Sequence, residues 1–387
     1  MPSKVHVLFP GQGSQTLGML SSCTSAESRA ILSQANDILG YDVAALCTDG
    51  PAEKLNETLY SQPAIFVSSW IAFEELKAAR PEYFASKAQY EIVLAGLSLG
   101  EYTALTAAGV LSFADGLRCV QERARAMHDA ARAQEGGMAT VVGLSAEALT
   151  EVCTKVNSTL TGGMPIAVAN LLFPSCAVVS GGLQGLRMLE GAAKAAGAKL
   201  VRRLPVAGAF HTRAMSPAAE RLDAALGRCD LKPPAPNVHV YANVTGCKYA
   251  SYASLAVQES LRKQLVSPVL WEQTLQNLVQ NYAAGDIVIE LGPGKQIGAM
   301  LKRFASPPSL MSRLLNVGPG TFADELVKKQ IDQAKNKSES ESDVSAAVPL
   351  VKPWMLQNKP LYKIRVPIPA LPNAMDAVHL ARGTQTA

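Results

Sequence analysis

Residues 92–109 read IVLAGLSLGEYTALTAAG, and this stretch decides the class of fold. An apolar run ends abruptly in GLSLG, residues 96–100, and a pattern with helical spacing follows at once. The stretch therefore predicts a strand over 91–95, a sharp turn at Ser98, and a helix over 99–109. We interpret the turn as a nucleophile elbow, in which small neighbours let strand and helix approach closely and the serine hydroxyl projects at a helix N-terminus. A glycine-rich tight turn with an incidental serine is the alternative interpretation.

The same alternation of strands and helices continues on both sides of this stretch. Residues 5–9 (VHVLF) are an apolar run typical of a buried strand, and residues 26–39, 64–79 and 113–134 have the apolar spacing of helices. Strands that alternate with helices predict a mostly parallel sheet that is covered on both faces.

Residues 136–207 have a different order of predicted strands and helices. The predicted order there is strand, helix, strand, strand, helix, strand, with Ser145 as the N-cap of the first helix. This order is typical of a small ferredoxin-like unit. Because strand-like runs resume at 238–242 and 287–291, we interpret the unit as an insertion into the larger core. The predicted strands of the unit span 137–144, 165–169, 176–180 and 199–206, and its helices span 146–156 and 186–196.

These patterns predict three parts of the chain. Residues 1–135 and 208–318 form a discontinuous core, residues 136–207 form the insertion, and residues 319–387 form a linker and a proline-rich tail. Residues 328–345 are charged and polar, with almost nothing to bury. The six prolines between positions 349 and 372 argue against a helix there.

The composition excludes several classes of protein. Of the 387 residues, 48% are hydrophobic and 18% are charged, so the chain can bury a substantial core. No apolar run is long enough for a membrane span, and we expect none. The net charge of +4 does not indicate nucleic-acid binding, and it permits association with an acidic partner.

Cysteine and histidine usage indicates neither a disulfide framework nor a metal site. The seven cysteines stand singly, without a C-x-x-C pair, which is typical of a reduced intracellular protein. The five histidines lie far apart, without an H-E-x-x-H motif. The N-terminal residues show neither an amphipathic arginine-rich prefix nor a secretory apolar region, so we expect a mature form or a short or absent targeting signal.

A serine nucleophile needs a base, and histidine is the usual one. His211 lies in GAFHT, residues 208–212, directly after the last predicted strand of the insertion. That loop position favours His211 over the other histidines, although a lone histidine is more often structural. His6 lies in a predicted strand, His128 in a predicted helix, His239 beside a strand, and His379 in the tail.

Six stretches together resemble the malonyl-CoA:acyl carrier protein transacylase family, in the order in which that family has them. They extend over about residues 5–305, and six motifs in order are a far more specific signal than any one of them. The resemblance implies an α/β-hydrolase-like core with a parallel sheet and an inserted ferredoxin-like subdomain, which agrees with the order of elements predicted above. The stretches are FPGQGSQ (9–15), GLSLGEY (96–102), ER (122–123) with Met127, GAFH (208–211), NVT (243–245) and ELGPGK (290–295).

The resemblance also implies catalytic roles. Ser98 would take the malonyl group as an ester, and His211 would act first as general base and then as general acid. A backbone carbonyl, which here is that of Gln264 in KQLVSPV (263–269), would orient the histidine in place of an aspartate. Backbone N–H groups of Gln12 and Leu99 would form the oxyanion hole.

Arg123 would bind the free carboxylate of the malonyl group, again as the resemblance implies. A guanidinium group can hold a carboxylate through two parallel hydrogen bonds, which favours malonyl over acetyl. Arg125 is a rival, but two residues apart on a helix point in different directions, so only one of the two can face the serine. An arginine on a solvated helix face is the ordinary alternative.

The implied reaction uses malonyl-CoA as substrate and holo acyl carrier protein as partner, with no bound cofactor and no metal. A carrier protein is typically acidic, and three basic pairs are candidates for attracting it, although solvated charge explains each pair equally well. We expect a monomer in a mitochondrion, with a plastid or the cytoplasm as alternatives, and fatty acid and polyketide synthesis both stay open. The basic pairs are Arg202-Arg203, Arg262-Lys263 and Lys302-Arg303.

Two departures and two rival functions accompany the resemblance. Leu97 stands where many relatives have histidine, and residues 171–173 (LLF) stand where relatives commonly have polar residues, which leaves the acyl preference less determined than the reaction type.

A serine hydrolase or thioesterase on the same core would use water as acceptor and would leave Arg123 without a role. A non-catalytic scaffold is the second rival, and the intact Ser98, His211 and Arg123 argue against it.

Overall fold

The computed structural model describes residues 3–85, 90–304 and 307–321. The strands in these ranges are β1 (Ser3–Phe9), β2 (Tyr90–Gly96), β3 (Gly136–Val142), β4 (Ala167–Phe173), β5 (Cys176–Gly182), β6 (Leu200–Arg203), β7 (Val238–Ala242), β8 (Cys247–Lys248), β9 (Val269–Leu270), β10 (Ile287–Leu291) and β11 (Leu314–Val317). The helices are α1 (Ala26–Leu39), α2 (Val43–Asp49), α3 (Ala52–Asn56), α4 (Thr58–Ala79), α5 (Pro81–Phe84), α6 (Gly100–Ala107), α7 (Phe113–Ala133), α8 (Ala146–Ser158), α9 (Leu183–Ala195), α10 (Ser216–Leu226), α11 (Ser254–Val266), α12 (Trp271–Gln280), α13 (Gln296–Leu301) and α14 (Pro308–Arg313), with a 3₁₀ turn at Arg213–Met215.

The larger sheet has the strand order β11-β10-β1-β2-β7-β8. Its strands pair in parallel from β11 to β7, and only the short β8 is antiparallel to its neighbour. The central strands β1, β2 and β10 are almost wholly buried, as expected for a sheet with helices on both faces. Because the strands are parallel, the carboxyl ends of β1, β2 and β7 lie side by side at one edge.

The smaller sheet has the order β6-β3-β5-β4-β9. Strands β3 to β6 and helices α8 and α9 follow the predicted order β-α-β-β-α-β, and the four strands pair antiparallel. The side chain of Ser145 caps α8 as predicted, by accepting a hydrogen bond from the backbone N–H of Ala148 at 3.2 Å. A feature that the sequence did not predict is β9, which comes from the core segment and adds in parallel to β4.

Most predicted elements have nearly the bounds expected, but β4 spans Ala167–Phe173 rather than 165–169, and two further elements differ as clearly. Helix α4 begins at Thr58 rather than at residue 64, and the additional residues include Gln62, which contacts Arg123. The last strand of the smaller sheet ends at Arg203, before Pro205, rather than at residue 206. Several short elements were not predicted, because their apolar stretches are too brief to show a period: among them are α2, α3, α13, α14, β8, β9 and β11. Apart from residues 319–321, the linker and the proline-rich tail lie outside the described residues.

The core divides between the two sheets. One cluster of buried apolar side chains joins the larger sheet to α1, α4, α6 and α7, and a separate cluster joins β3 and β5 to α8 and α9. A third cluster lies on the opposite face of the larger sheet, around Trp271 and Leu275 of α12. None of the helices in the described ranges has the length and apolar character needed to cross a membrane. All seven cysteines are free thiols.

Candidate active site

Ser98 occupies the turn between β2 and α6 in a strained backbone conformation. Its φ is 51°, in the left-handed region that non-glycine residues rarely adopt. The flanking glycines are required because a larger side chain would collide with neighbouring backbone. A Cβ on Gly96 would lie 1.9 Å from the carbonyl carbon of Gly100, and a Cβ on Gly100 would lie 2.3 Å from the carbonyl oxygen of Phe9. The strand and the helix therefore meet as the GLSLG motif predicted.

Asn243, directly after β7, holds this strained turn from the side. Its Oδ1 accepts a hydrogen bond from the backbone N–H of Ser98 at 2.6 Å, and its Nδ2 donates to the carbonyl oxygen of Gly96 at 2.8 Å. The side chain is fully buried. The motif NVT was noticed in the sequence, but it carried no signal of this positioning role.

His211 lies within hydrogen-bond distance of the serine. Its Nε2 is 2.9 Å from Oγ of Ser98, and its Nδ1 is 2.8 Å from the backbone carbonyl oxygen of Gln264. The carbonyl can only accept, so it holds the proton on Nδ1 and leaves Nε2 free to accept the serine proton. Like Ser98, His211 has a left-handed backbone, with φ of 58°. Two strained residues facing each other are typical of a functional site.

Burial and, to a smaller extent, the positive charge of Arg123 lower the pKa of His211 to about 4, although the hydrogen bond to Gln264 opposes both effects. The imidazole is therefore neutral near pH 7 and can take up a proton. The other described histidines are not part of this site: His6 contacts Asp286, His239 contacts Glu91, and His128 lies on α7 at a half-buried position, while His379 lies outside the described residues.

Arg123 is buried beside the serine, with only 1% of its surface exposed. Its Nη2 donates to Oγ of Ser98 at 2.9 Å, and its guanidinium carbon lies 5.3 Å from the centre of the Tyr102 ring. Its rival Arg125 is exposed on the other side of α7, as the helical geometry requires. Burial lowers the pKa of Arg123, although an arginine stays charged at neutral pH because its ordinary pKa is so high.

The loop after β1 lies directly against the elbow. A Cβ on Gly11 would lie 2.6 Å from the carbonyl oxygen of Leu97, so only glycine permits this contact. Gln296 fastens the loop, since its Oε1 accepts from the N–H of Gly11 at 3.0 Å and its Nε2 donates to the carbonyl of Gln12 at 3.4 Å. Within the described ranges, neither the backbone N–H of Gln12 nor that of Leu99 donates a hydrogen bond, so both are free to bind an oxyanion.

Sequence reasoning missed three polar side chains that complete the site, of which Gln62 and Glu101 are fully buried and Tyr249 is half-buried. Gln62 accepts from Nη1 of Arg123 at 2.6 Å, Glu101 accepts from Nε2 of Gln264 at 2.6 Å, and Tyr249 donates to Glu101 at 2.6 Å. A glutamine inside the apolar stretch of α4 and a glutamate directly after the elbow are the only signals of them in the sequence. No cluster of His, Cys, Asp or Glu in the described part of the chain has the arrangement of a metal site.

Residues 6–307 match the acyl transferase domain family. The human "Malonyl-CoA-acyl carrier protein transacylase, mitochondrial" is 39% identical over 310 residues, which cover 78% of this chain and 77% of the human protein.

Solved structures give the same result. The malonyl CoA-acyl carrier protein transacylase from Coxiella burnetii has a TM-score of 0.75 at 30% identity, covering 87% of this chain and 99% of that one. A malonyl-transacylase solved in complex with its type II PKS acyl-carrier protein has a TM-score of 0.73 at 29% identity, covering 87% of this chain and all of that one. These neighbours share the α/β acyltransferase fold described above. The chain therefore belongs to the malonyl-CoA-acyl carrier protein transacylase family, a family of acyltransferases.

Proposed function

We propose that this chain transfers the malonyl group of malonyl-CoA to the phosphopantetheine thiol of holo acyl carrier protein, through a malonyl ester on Ser98. The observation that carries this proposal is the buried cation of Arg123, whose Nη2 lies 2.9 Å from Oγ of Ser98. A buried charge without a counter-ion is costly, and the free carboxylate of a malonyl group would supply one. An acetyl group would leave that charge unpaired.

In the first half-reaction, Oγ of Ser98 attacks the thioester carbonyl carbon while Nε2 of His211 takes the hydroxyl proton. The backbone N–H groups of Gln12 and Leu99 stabilise the negative oxygen of the tetrahedral intermediate. The bond between carbon and sulfur then breaks, and His211 returns the proton to the coenzyme A thiolate. The carbonyl of Gln264 stabilises the protonated imidazole through Nδ1, in the role that a carboxylate has in serine proteases.

In the second half-reaction, the phosphopantetheine thiol gives its proton to His211 and attacks the ester carbonyl. The bond between the acyl carbon and Oγ of Ser98 then breaks, and the serine regains its proton from His211. The chain needs no cofactor or metal for this sequence, because every proton and electron pair is accounted for by substrate, serine and histidine.

Incubation with malonyl-CoA followed by intact-mass analysis tests the first step. We expect a malonyl adduct on Ser98, and we expect holo carrier protein to remove it and to become malonylated. A serine hydrolase would instead release free malonate even when holo carrier protein is present, and that result would overturn the transferase proposal. A non-catalytic scaffold would form no adduct.

The partner proposal is supported by charge. The pairs Arg202-Arg203 and Lys302-Arg303 are exposed and make no ion pair with other described residues, so they are available to an acidic carrier protein. Arg262 and Lys263 are less available, since both contact Glu259, at 2.6 and 3.0 Å. The matched structure of a transacylase with its carrier protein supports the same kind of partner. Charge reversal at the exposed pairs should lower the association rate with carrier protein and its dependence on salt.

Location, oligomeric state and domain division complete the proposal. A mitochondrial location is supported by the name of the human relative, and a fluorescent fusion in the source cells tests it. We propose a monomer, which sedimentation would check. The proposed division is a core of residues 1–135 and 208–318, an inserted subdomain of residues 136–207, and a linker and tail of residues 319–387; limited proteolysis would check its boundaries.

A further inference from the structure

All partners of the Arg123 guanidinium in the described ranges are neutral. Nη1 donates to Oε1 of Gln62 at 2.6 Å, and Nη2 donates to Oγ of Ser98 at 2.9 Å and to Oε1 of Gln264 at 3.1 Å. Its Nε has no hydrogen-bond partner among the residues that the structure describes. A fully buried arginine normally pairs directly with a carboxylate, so this arrangement needs another source of negative charge.

Glu101 carries a buried negative charge whose direct partners are neutral, just as those of the positively charged Arg123 are. Its side chain is fully buried, and its partners are also neutral. Oε1 accepts from the hydroxyl of Tyr249 at 2.6 Å, and Oε2 accepts from Nε2 of Gln264 at 2.6 Å and from the backbone N–H of Asn243 at 3.2 Å. Within the described ranges, this carboxylate makes no direct ion pair either.

The side chain of Gln264 joins the two charges. Its Oε1 faces the arginine, and its Nε2 faces Glu101 and also donates to the backbone carbonyl of Ser98 at 2.9 Å. The opposite orientation of the amide would turn the NH₂ group toward a cation and the oxygen toward a carboxylate, so both contacts would become repulsive. Glu101 and Arg123 together therefore determine how Gln264 is oriented.

We propose that Glu101 is a positioning residue for recognition of the malonyl carboxylate, acting on Arg123 through the carboxamide of Gln264. The carboxylate orients the amide, and the amide in turn orients Nη2 of the arginine beside Ser98. The carboxylate of Glu101 also supplies the negative charge that stabilises the buried guanidinium in the absence of substrate. This inference rests on the proposed function.

The separation of the two charges by one amide has a chemical consequence. A direct ion pair would occupy the planar fork of the guanidinium, and a substrate carboxylate would have to displace it. A charge relayed through a neutral amide stabilises the arginine while leaving its direct contacts neutral and exchangeable. The same residue, Gln264, orients His211 through its backbone carbonyl, so the serine, the histidine and the arginine share one support.

The substitution Glu101→Gln tests this proposal, because it keeps the shape of the side chain and removes its charge. Burial raises the pKa of Glu101 to about 7, and its hydrogen-bond donors and Arg123 oppose this rise, so assays at about pH 8 keep the parent carboxylate ionised. Single-turnover acylation of Ser98 is measured with malonyl-CoA and with acetyl-CoA. We expect the ratio of the two kcat/KM values to fall by ~10-fold or more, while acetylation alone falls by less than ~3-fold.

The matched control is Asp286→Asn, which also neutralises a buried carboxylate. Asp286 contacts His6 and the backbone N–H groups of Lys4 and Ala283, and it touches none of the site residues. The ratio of malonyl to acetyl acylation should be unchanged in this variant. Equal losses of both reactions in Glu101→Gln, or an unchanged ratio, would overturn the proposal, since a merely structural glutamate affects both acyl groups alike.

A milder variant covers the case in which Glu101→Gln does not fold. Tyr249→Phe removes one donor to Glu101 and leaves the carboxylate in place, and we expect the same ratio to fall by ~2–4-fold. An unchanged ratio in folded Tyr249→Phe would then overturn the proposal. Failure of the proposed function is distinguishable, because the parent chain itself would then form no malonyl adduct on Ser98 or would pass none to carrier protein.

Discussion

Nδ1 of His211 lies 2.8 Å from the backbone carbonyl oxygen of Gln264, at the position where a serine protease places a carboxylate. The histidine is therefore oriented by a neutral group, and the nearest cation, Arg123, disfavours its protonated form. The site combines a base that stays neutral with a buried positive charge beside the nucleophile. Both properties suit a substrate that carries its own negative charge.

Replacement of Arg123 should lower the rate of acylation by malonyl-CoA far more than the rate of acylation by acetyl-CoA. In Arg123→Ala the malonyl carboxylate loses its charged partner, which is worth about 3 kcal/mol, or ~100-fold in kcat/KM. Acylation by acetyl-CoA should change much less, because that substrate has no carboxylate. Arg125→Ala is the control, since this arginine is two residues away on the same helix and exposed. Equal losses for both acyl groups would show that Arg123 does not bind the carboxylate.

The pH dependence of acylation should report the pKa of His211. Only the neutral imidazole can accept the serine proton, so the rate falls as pH falls through the pKa of about 4 rather than through the ordinary 6.5. In Arg123→Ala this acid limb should move to higher pH, because one of the two causes of the low pKa is removed, but it should stay below 6.5 because burial remains. Single-turnover acetylation of the parent chain and of Arg123→Ala, followed from about pH 3 to pH 8, measures this fall in rate for each protein. A limb near 6.5 in the parent chain would contradict the neutral, buried histidine.

Loss of Asn243 should reduce both acylations together. In Asn243→Ala the N–H of Ser98 and the carbonyl of Gly96 lose their partners, and two unsatisfied backbone groups in a strained turn cost about 1–3 kcal/mol each. We expect kcat for malonyl and acetyl acylation to fall by a similar factor of ~10 or more, unlike the selective loss expected for Arg123→Ala. Asn237→Ala removes a comparable bond, to the carbonyl of Tyr90 at 3.1 Å at the opposite end of the same two strands, and should leave acylation intact.

The elbow glycines should be essential for folding as well as for catalysis. A Cβ on Gly96 would lie 1.9 Å from backbone atoms that cannot move independently, so Gly96→Ala should lower the free energy of unfolding by about 3 kcal/mol or more. Gly191→Ala is the matched control on α9, where a Cβ has no atom within 4 Å, and it should stabilise the helix by about 0.5–1 kcal/mol. Denaturant unfolding of the two variants measures both effects. A stable Gly96→Ala variant would contradict the close contact of β2 and α6.

Ser98 and His211 were predictable as a candidate pair because their signals are local. Gly-x-Ser-x-Gly between a strand and a helix predicts a strained serine at a sharp turn, and Ser98 has that backbone geometry at a half-buried position. His211 was predicted from its loop position, and the histidine now lies within 2.9 Å of that serine. Arg123 could be placed only as one of two arginines on a helix, and its selection over Arg125 in the sequence depended on the family resemblance. Their catalytic roles stay predictions until the variants are measured.

The supporting side chains were not predictable, because they come from segments far apart in the chain. Glu101 directly follows the elbow and has no local signal of its contacts, yet it is a buried carboxylate that contacts Gln264, 163 residues away. Gln62 reaches Arg123 from a helix whose first turn carries no apolar period. Strand β9 pairs with β4 across about a hundred residues through two short stretches of backbone.

By itself the sequence determined the strand-turn-helix elbow, the parallel core and the order of elements in the smaller sheet, since apolar periodicity and glycine conformation act over a few residues. Only the tertiary structure decided which polar groups share the buried site and how their charges are arranged. Periodicity records whether a residue is buried, but not what it is buried against. The orientation of Gln264 between Glu101 and Arg123 depends on three helices meeting, and that meeting is a property of the packed chain.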